Sequence, residues 1–272
     1  LLDSVTIARS RKHIQKYYDT SDIGTFPKRN PPISKRPGLT DLSKAINYNE
    51  IFEQLNLLRL CIYTPTDYIL PSKLAKYKDV SNHVRGGLTQ SGREQGIRRL
   101  MSINLMKRME SSVYSFRLTL KRINDLIADT IKSIADFEYG YNKSSLNLND
   151  ITNMDLDGDD QNDDVFAIGK KVRIDIADMD YKSWRRELER DKEILDLLLT
   201  MIADITPAHD SKLQTLFDVI DEKQEHPINP GNKKIIIFTA FADTANYLYD
   251  TVSVYVKKKY GLDTAIITGS VD

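Results

Sequence analysis

KKIIIFTAFADTANYL, residues 233–248, joins an apolar run directly to residues at helical spacing. The consecutive apolar residues 235–238 are typical of a buried strand that is covered on both faces. From Phe241 onward the apolar residues take helical spacing, through Ala245, Leu248, Val252 and Tyr255. Gly261, which follows three lysines, predicts the end of that helix. A second apolar run at 264–267 predicts another strand, so this part of the chain indicates the start of a βαβ unit.

Two long apolar stripes at helical spacing occupy the middle of the chain. The first lies in the proline-free segment 93–137 and comprises Met106, Met109, Val113, Phe116, Leu120, Ile123 and Ile127. Its alternating steps of three and four predict one continuous helix of roughly 60 Å. The second stripe, within residues 184–205, comprises Leu188, Leu195, Leu198 and Ile202. We expect the two helices to pack antiparallel as a long helical hairpin. The alternative is that the first stripe docks a protein partner.

The stretches around these stripes predict connectors and one shorter helix. Residues 18–42 contain four prolines and indicate an extended connector that exposes Lys28, Arg29, Lys35 and Arg36. A helix is predicted from about Asn47 to Tyr63, where Thr64-Pro65 would end it. Residues 142–168 are predicted to form an acidic loop. Its stretch 153–164 imitates a calcium loop in spacing but lacks the first Asp and the bidentate Glu, so we expect no metal site.

The net charge of zero hides an asymmetry along the chain. Residues 1–135 hold 23 Lys and Arg against 12 Asp and Glu, a balance of +11. Residues 136–230 hold 11 against 23, a balance of −12. The basic half could follow a phosphate backbone, or its charges could be neutralised internally by the acidic half. Both interpretations stay open at the level of sequence.

Composition also bears on location and membrane association. No stretch approaches about 18 uninterrupted apolar residues, and no basic and apolar leader is present. We therefore expect no membrane partner. Cys61 is the single cysteine and permits no internal disulfide, which favours a cytoplasmic location and a buried, non-catalytic thiol. Since the chain begins on Leu1 and ends on a predicted strand, we expect it to be an excised piece of a longer protein.

Several stretches together resemble superfamily-two helicases and Snf-type DNA translocases, in particular the bacterial RapA-like members. IIFTAFADTA at 236–245 resembles motif IV of the second RecA-like lobe, and ITGS at 267–270 resembles the segment that follows it. RSRKHI at 9–14 resembles the arginine-rich segment that leaves the first lobe, and LMKRMESS at 105–112 resembles a signature between the lobes. Asp210-Ser-Lys-Leu213 stands where these relatives carry a Lys-Leu pair before motif IV.

This resemblance implies a role on nucleic acid. It places Thr239, Ala240 and Phe241 where motif IV meets the backbone of DNA or RNA, and Thr268 and Gly269 where the next loop does so. The arginine-rich segment adds the basic residues Arg9, Arg11 and Lys12. The alternative roles of the first five residues are structural: a strand cap, a staple into the helix and a tight turn.

The resemblance also implies ATP and Mg²⁺ in the parent protein, but the chain lacks a Gly-x-x-x-x-Gly-Lys-Ser/Thr phosphate loop. VIDEK at 219–223 imitates the strand and Asp-Glu pair that hold magnesium in such motors. Its upstream apolar spacing is helical, however, and favours the end of a solvated helix. We therefore expect no catalytic residue, no cofactor and no ATPase activity in this fragment.

The predicted fold class is mainly α, with a partial α/β unit of the RecA-like, P-loop NTPase type at the C terminus. The predicted domains are 1–44, the tail of the first lobe and the connector; 45–230, a helical insertion; and 231–272, the start of the second lobe. The predicted function is that of a fragment of an ATP-dependent helicase or translocase. The rival prediction is a helical scaffold or protein-interaction module with an ordinary α/β end and no motor.

Overall fold

The computed structural model describes residues 11–18, 26–44, 46–77, 90–140, 145–147 and 173–269. The chain divides into two compact units, Leu1–Arg36 with Phe217–Ile236, and Pro37–Leu216 with Ile237–Asp272. The described residues are mainly helical, as predicted. Seven α-helices lie within them: α1 (Arg11–Tyr17), α2 (Tyr48–Leu57), α3 (Gln90–Ser111), α4 (Val113–Glu138), α5 (Tyr181–Met201), α6 (Ser211–Glu225) and α7 (Ala242–Tyr260).

The predicted antiparallel helical hairpin is present as α4 and α5. Near one end, the Arg117 guanidinium donates to the carbonyl of Ile205 at 2.8 Å, just beyond the C terminus of α5. Near the other end, Phe137 packs edge-on against Tyr181 with ring centroids 5.5 Å apart. The apolar stripes meet between these ends and form the centre of the core: Val113, Phe116, Leu120, Ile123 and Ile127 with Trp184, Leu188, Leu195, Leu198 and Ile202. These side chains are core residues and not an open docking surface.

The predicted continuous helix over 93–137 is wrong, because the chain breaks between α3 and α4. Ser112 has extended backbone angles, φ −159° and ψ 147°, and its side chain accepts a hydrogen bond from the backbone N–H of Ser115. This is the geometry of a helix N-cap. The LMKRMESS stretch therefore ends one helix and begins the next.

The predicted helix from Asn47 to Tyr63 ends early. Asn47 caps it as its side chain accepts from the N–H of Asn49 and Glu50, but α2 stops at Leu57. Leu60 is left-handed, with φ 52°, and a 3-10 turn follows at Cys61–Tyr63. The cause is Asp191 of α5, whose carboxylate accepts the backbone N–H groups of Arg59 at 2.7 Å and Cys61 at 3.0 Å. Those donors are consequently lost to the α2 ladder.

Strand structure within the described residues is one short antiparallel pair. β1 (Ser145–Asn147) pairs with β2 (Arg173–Asp175), with Leu146 opposite Ile174. Apart from 145–147, the predicted acidic loop 142–168, with its calcium-like stretch, lies outside the described residues.

The two strands predicted on either side of α7 are not paired in the structure. Residues 233–238 and 262–267 carry no assigned strand or helix, and Ile236 and Phe238 are 78% and 89% exposed. A strand needs a neighbour for its N–H and C=O groups, and no neighbouring strand lies beside these segments among the described residues. The helix between them forms as predicted, and Gly261, with φ 68°, ends it in the left-handed conformation.

Candidate functional site

The chemistry-bearing side chains of the second unit gather where the break between α3 and α4 meets the start of α7. At their centre is Arg108, which is only 1% exposed. Its Nη1 lies 3.0 Å from the Asp243 carboxylate and 3.1 Å from the Ser115 hydroxyl. Its guanidinium carbon lies 4.6 Å from the centroid of the Phe241 ring, within cation–π range. Arg122 adds a second cation, 3.3 Å from Asp243.

Four hydroxyl groups also lie together between the α3–α4 break and the start of α7. The Thr244 hydroxyl lies 2.8 Å from that of Ser111 and 3.0 Å from that of Ser112. The Ser111 hydroxyl also lies 3.4 Å from that of Thr239. Ser112 thus serves both as the N-cap of α4 and as a partner of α7. We call Arg108, Ser111, Ser112, Phe241, Asp243 and Thr244 the junction.

The start of α6 lies beside the junction. Asp210 caps α6, because its carboxylate accepts the N–H groups of Lys212 and Leu213, and its other oxygen accepts from the Tyr247 hydroxyl at 3.0 Å. The Lys212 ammonium donates to the carbonyl of Glu110. Burial, and then the Asp210 charge, raise the pKa of Tyr247, so this phenol stays a hydrogen-bond donor across the neutral range.

The structure places the residues predicted to touch nucleic acid in different surroundings. Phe241 is 7% exposed, and the Arg108 guanidinium lies over its ring at the start of α7. Thr239 is half-buried beside Ser111, whereas Ala240 is exposed. Residues 268 and 269 follow them in the chain after α7: Thr268 is half-buried and Gly269 is exposed.

The arginine-rich segment is described in part. Arg11 is exposed at the start of α1, and its guanidinium donates to the carbonyl of Pro27 at 3.4 Å. Of Lys12 the structure describes the backbone alone, and Arg9 lies outside the described residues.

Sequence reasoning misses the buried roles of Arg108, Asp243, Thr244 and Tyr247. The charge balance counts Arg108 with the basic residues that could face a phosphate backbone, since nothing in its local spacing shows that its partner lies 135 residues away. One signal is present: Arg108 occupies the same helical face as Met101, Leu105 and Ser112, and the first two of these are buried core residues. An arginine on an apolar face indicates a buried ion pair.

No helix in the described ranges is long and apolar enough to cross a membrane. Across the same part of the chain, no three His, Cys, Asp or Glu side chains converge as metal ligands would. Cys61 is buried and unbonded to another cysteine, and its burial, followed by the nearby Asp191, raises the pKa of the thiol.

Comparison with known proteins gives no family assignment: no family model matches the chain, and searches of curated proteins and of solved structures find no significant match.

Proposed function

We propose that this chain is the interlobe part of an ATP-dependent helicase or translocase that moves on DNA or RNA. In this proposal α4 and α5 are a helical insertion, and residues 231–272 are the start of a second RecA-like lobe. The junction then fixes the insertion onto that lobe. ATP and Mg²⁺ would bind at a site formed by other parts of the parent protein, in the cytoplasm.

The observation that carries the proposal is the meeting of three separate stretches. Residues 105–112, 210–213 and 236–245 each resemble the motor family in sequence, and residues in or next to these stretches contact one another. Arg108 pairs with Asp243, Lys212 donates to Glu110, and Tyr247, just beyond motif IV, donates to Asp210. Chance resemblances in stretches so far apart in the chain would have no reason to meet at one place.

The exposed apolar segments around α7 give further support. Residues 235–238 carry four consecutive apolar side chains, each of them exposed, and Ile267 is 88% exposed. Apolar surface of this kind is normally covered. A parallel sheet with additional strands would cover it, as a RecA-like lobe requires.

Nucleic acid would be contacted by the exposed end of motif IV. Ala240 and Gly269 are open to solvent and have backbone groups that could approach a phosphate. Thr239 and Thr268 would contribute hydroxyls. Phe241 would support this surface from beneath and would not stack on a base, since its ring is covered by Arg108.

The gene sequence on both sides of these 272 residues tests the proposal. A phosphate loop and Asp-Glu-x-His on the N-terminal side, with Gln-x-x-Gly-Arg-x-x-Arg on the C-terminal side, would support the motor. Their absence would favour the helical scaffold, in which the junction is a packing contact alone.

A biochemical test uses the 272-residue chain and the whole gene product in parallel. The chain alone should release no phosphate from ATP above blank, with or without DNA, because it has no phosphate loop. The whole product should hydrolyse ATP, and DNA or RNA should stimulate it. A whole product without hydrolysis would contradict the motor, and hydrolysis by the short chain that survives repurification would contradict our placement of the ATP site.

A further inference from the structure

Two sets of cations in the basic half lie in contrasting surroundings. Five of them in the second unit are held in ion pairs with acids from later in the chain: Arg59 with Glu187, Lys73 and Lys76 with Asp178, and Arg108 and Arg122 with Asp243. These charges are neutralised within the fold. The +11 balance of residues 1–135 therefore overstates the charge available to a partner.

The cations of the connector have no such acidic partners among the described residues. Lys28, Arg29, Lys35 and Arg36 are all exposed, and among the described residues none of them forms an ion pair. The sequence 23–40 contains no Asp or Glu. Four positive charges are thus presented to solvent along one short segment, without local compensation.

Residues 26–28 of the connector are held by contacts within the first unit. Asn229 accepts the N–H of Lys28 at 2.7 Å and donates to the carbonyl of the same residue at 3.1 Å. Arg11 donates to the carbonyl of Pro27 and lies over the ring of Phe26 at 5.6 Å. Pro31 and Pro32 restrict the backbone between the two basic pairs. The Lys28 end of the segment is therefore anchored before any partner binds, and the prolines restrict the rest, which lowers the entropic cost of binding.

We propose that residues 28–36 form a strap that binds the phosphate backbone of nucleic acid. At about 3.1 Å per residue in an extended proline-rich chain, the pairs 28–29 and 35–36 stand ~22 Å apart. Along a duplex, where each strand carries a phosphate every ~3.4 Å of helix axis, that separation spans about six phosphates of one strand. The inference deepens the proposed function, on which it rests, by placing the nucleic-acid contact outside motif IV.

A protein partner fits the strap less well. Specific protein interfaces have an apolar centre with charges at the rim. Between Lys28 and Arg36 the one large apolar side chain is Ile33. The rest is proline, asparagine, serine and cations, and a phosphate backbone requires little more than positive charge.

The test is fluorescence anisotropy with a labelled, mixed-sequence single strand of about 20 nucleotides, in salt from about 50 to 200 mM. The variant Lys28→Gln/Arg29→Gln/Lys35→Gln/Arg36→Gln should reduce the log–log salt slope by about 3, because each phosphate that is no longer neutralised lowers the slope by ~0.7. The control Lys121→Gln/Lys132→Gln/Lys182→Gln/Arg186→Gln removes the same charge from exposed helical positions, and should leave the slope unchanged. Asn229→Ala, which removes the clamp but no charge, should weaken binding without altering the slope.

Any of three other outcomes overturns the proposal that residues 28–36 bind nucleic acid. If the connector variant and the control weaken binding equally, the contact is diffuse, and the motor proposal is untouched. If polyglutamate displaces the strand as well as an equal charge of unlabelled nucleic acid does, the strap serves an acidic protein. If the unmodified chain does not bind at tens of micromolar, no strap operates, and ATP hydrolysis by the whole gene product then decides the motor proposal separately.

Discussion

At the scale of single residues, the buried charge of Arg108 organises the second unit. Its guanidinium satisfies Asp243, Ser115 and the face of Phe241 at once. A buried charge is tolerated when its hydrogen bonds are made, and becomes costly when a partner is removed. Arginine suits this place because its planar fork can bond in several directions and stack on a ring, which lysine cannot do.

Asp243→Ala should therefore destabilise the protein by about 3–5 kcal/mol, since it leaves Arg108 buried without its carboxylate. Urea unfolding monitored by circular dichroism measures the change. The control Asp263→Ala removes an acid from the exposed pair with Lys257 and should have no measurable effect. Equal destabilisation by the two variants would show that Arg108 is not held by Asp243.

Asp178 gives a prediction on pH dependence. Hydrogen bonds from Lys76 and then from Tyr77 hold the pKa of Asp178 below its usual value. A carboxyl whose folded pKa is lowered stabilises the protein above its unfolded pKa, and this stability is lost as the pH falls through the folded pKa. Asp178→Asn should be less stable than the unmodified protein at about pH 7, and the difference should shrink below about pH 4.

Thermal unfolding between about pH 3 and pH 7 measures this difference. The control Asp129→Asn changes an exposed acid of α4 and should follow the unmodified protein throughout. A gap between Asp178→Asn and the unmodified protein that is constant with pH would mean that the destabilisation comes from packing and not from the charge.

At the scale of elements, helix boundaries are set by side chains that compete for backbone groups. Ser112 and Asn47 begin helices by local capping, which operates between neighbours in the chain. Asp191 ends α2 from a distance, because it accepts the N–H groups of Arg59 and Cys61, which a longer helix would use. The break at Ser112 brings the α4 cap to Thr244, so one serine fixes both the start of a helix and its contact with α7.

Ser112→Ala should accordingly cost about 1–2 kcal/mol, because it removes both the helix cap and the hydrogen bond with Thr244. Ser133→Ala is the matched control, since Ser133 lies in the interior of α4 and donates to the Asp129 carbonyl. Its effect should stay within about 0.5 kcal/mol. Denaturant unfolding distinguishes the two, and a cost below that of Ser133→Ala would rule out the capping role.

At the scale of the whole molecule, exposed apolar segments stand out against a well-filled helical core. Trp184, Phe116 and Leu120 are fully buried, whereas Ile236 and Phe238 lie open on a segment of high β-propensity. The free N–H and C=O groups of such unpaired segments bond to strands of other chains, and this promotes association.

The purified chain should therefore self-associate as its concentration rises. Ile236→Lys/Phe238→Lys should shift it toward the monomer, as light scattering after size exclusion would show. Leu57→Lys/Val254→Lys replaces two scattered exposed apolar residues and should not do so. A chain that is monomeric at about 100 µM without any substitution would contradict the prediction.

The sequence alone determined the elements that follow from local periodicity. The antiparallel pair α4 and α5 follows from two apolar stripes, α7 and its end at Gly261 follow from spacing and a glycine, and the helical state of residues 219–223 follows from the spacing before them. The helical state of each segment depends on neighbours within a few positions, which the chain displays directly, and the pairing of α4 with α5 follows because each apolar stripe needs a cover.

The remaining features depend on tertiary contacts, because polar groups bond to partners that lie far away in the chain. The burial of Arg108 depends on Asp243, the early end of α2 depends on Asp191, and the link between Ser112 and Thr244 spans 132 positions. The runs 235–238 and 264–267 have the composition of strands, but a strand exists only with a neighbour to bond. The spacing of residues along the chain does not show these long-range partners. Their hydrogen bonds and charges determine where helices and strands end and which side chains are buried.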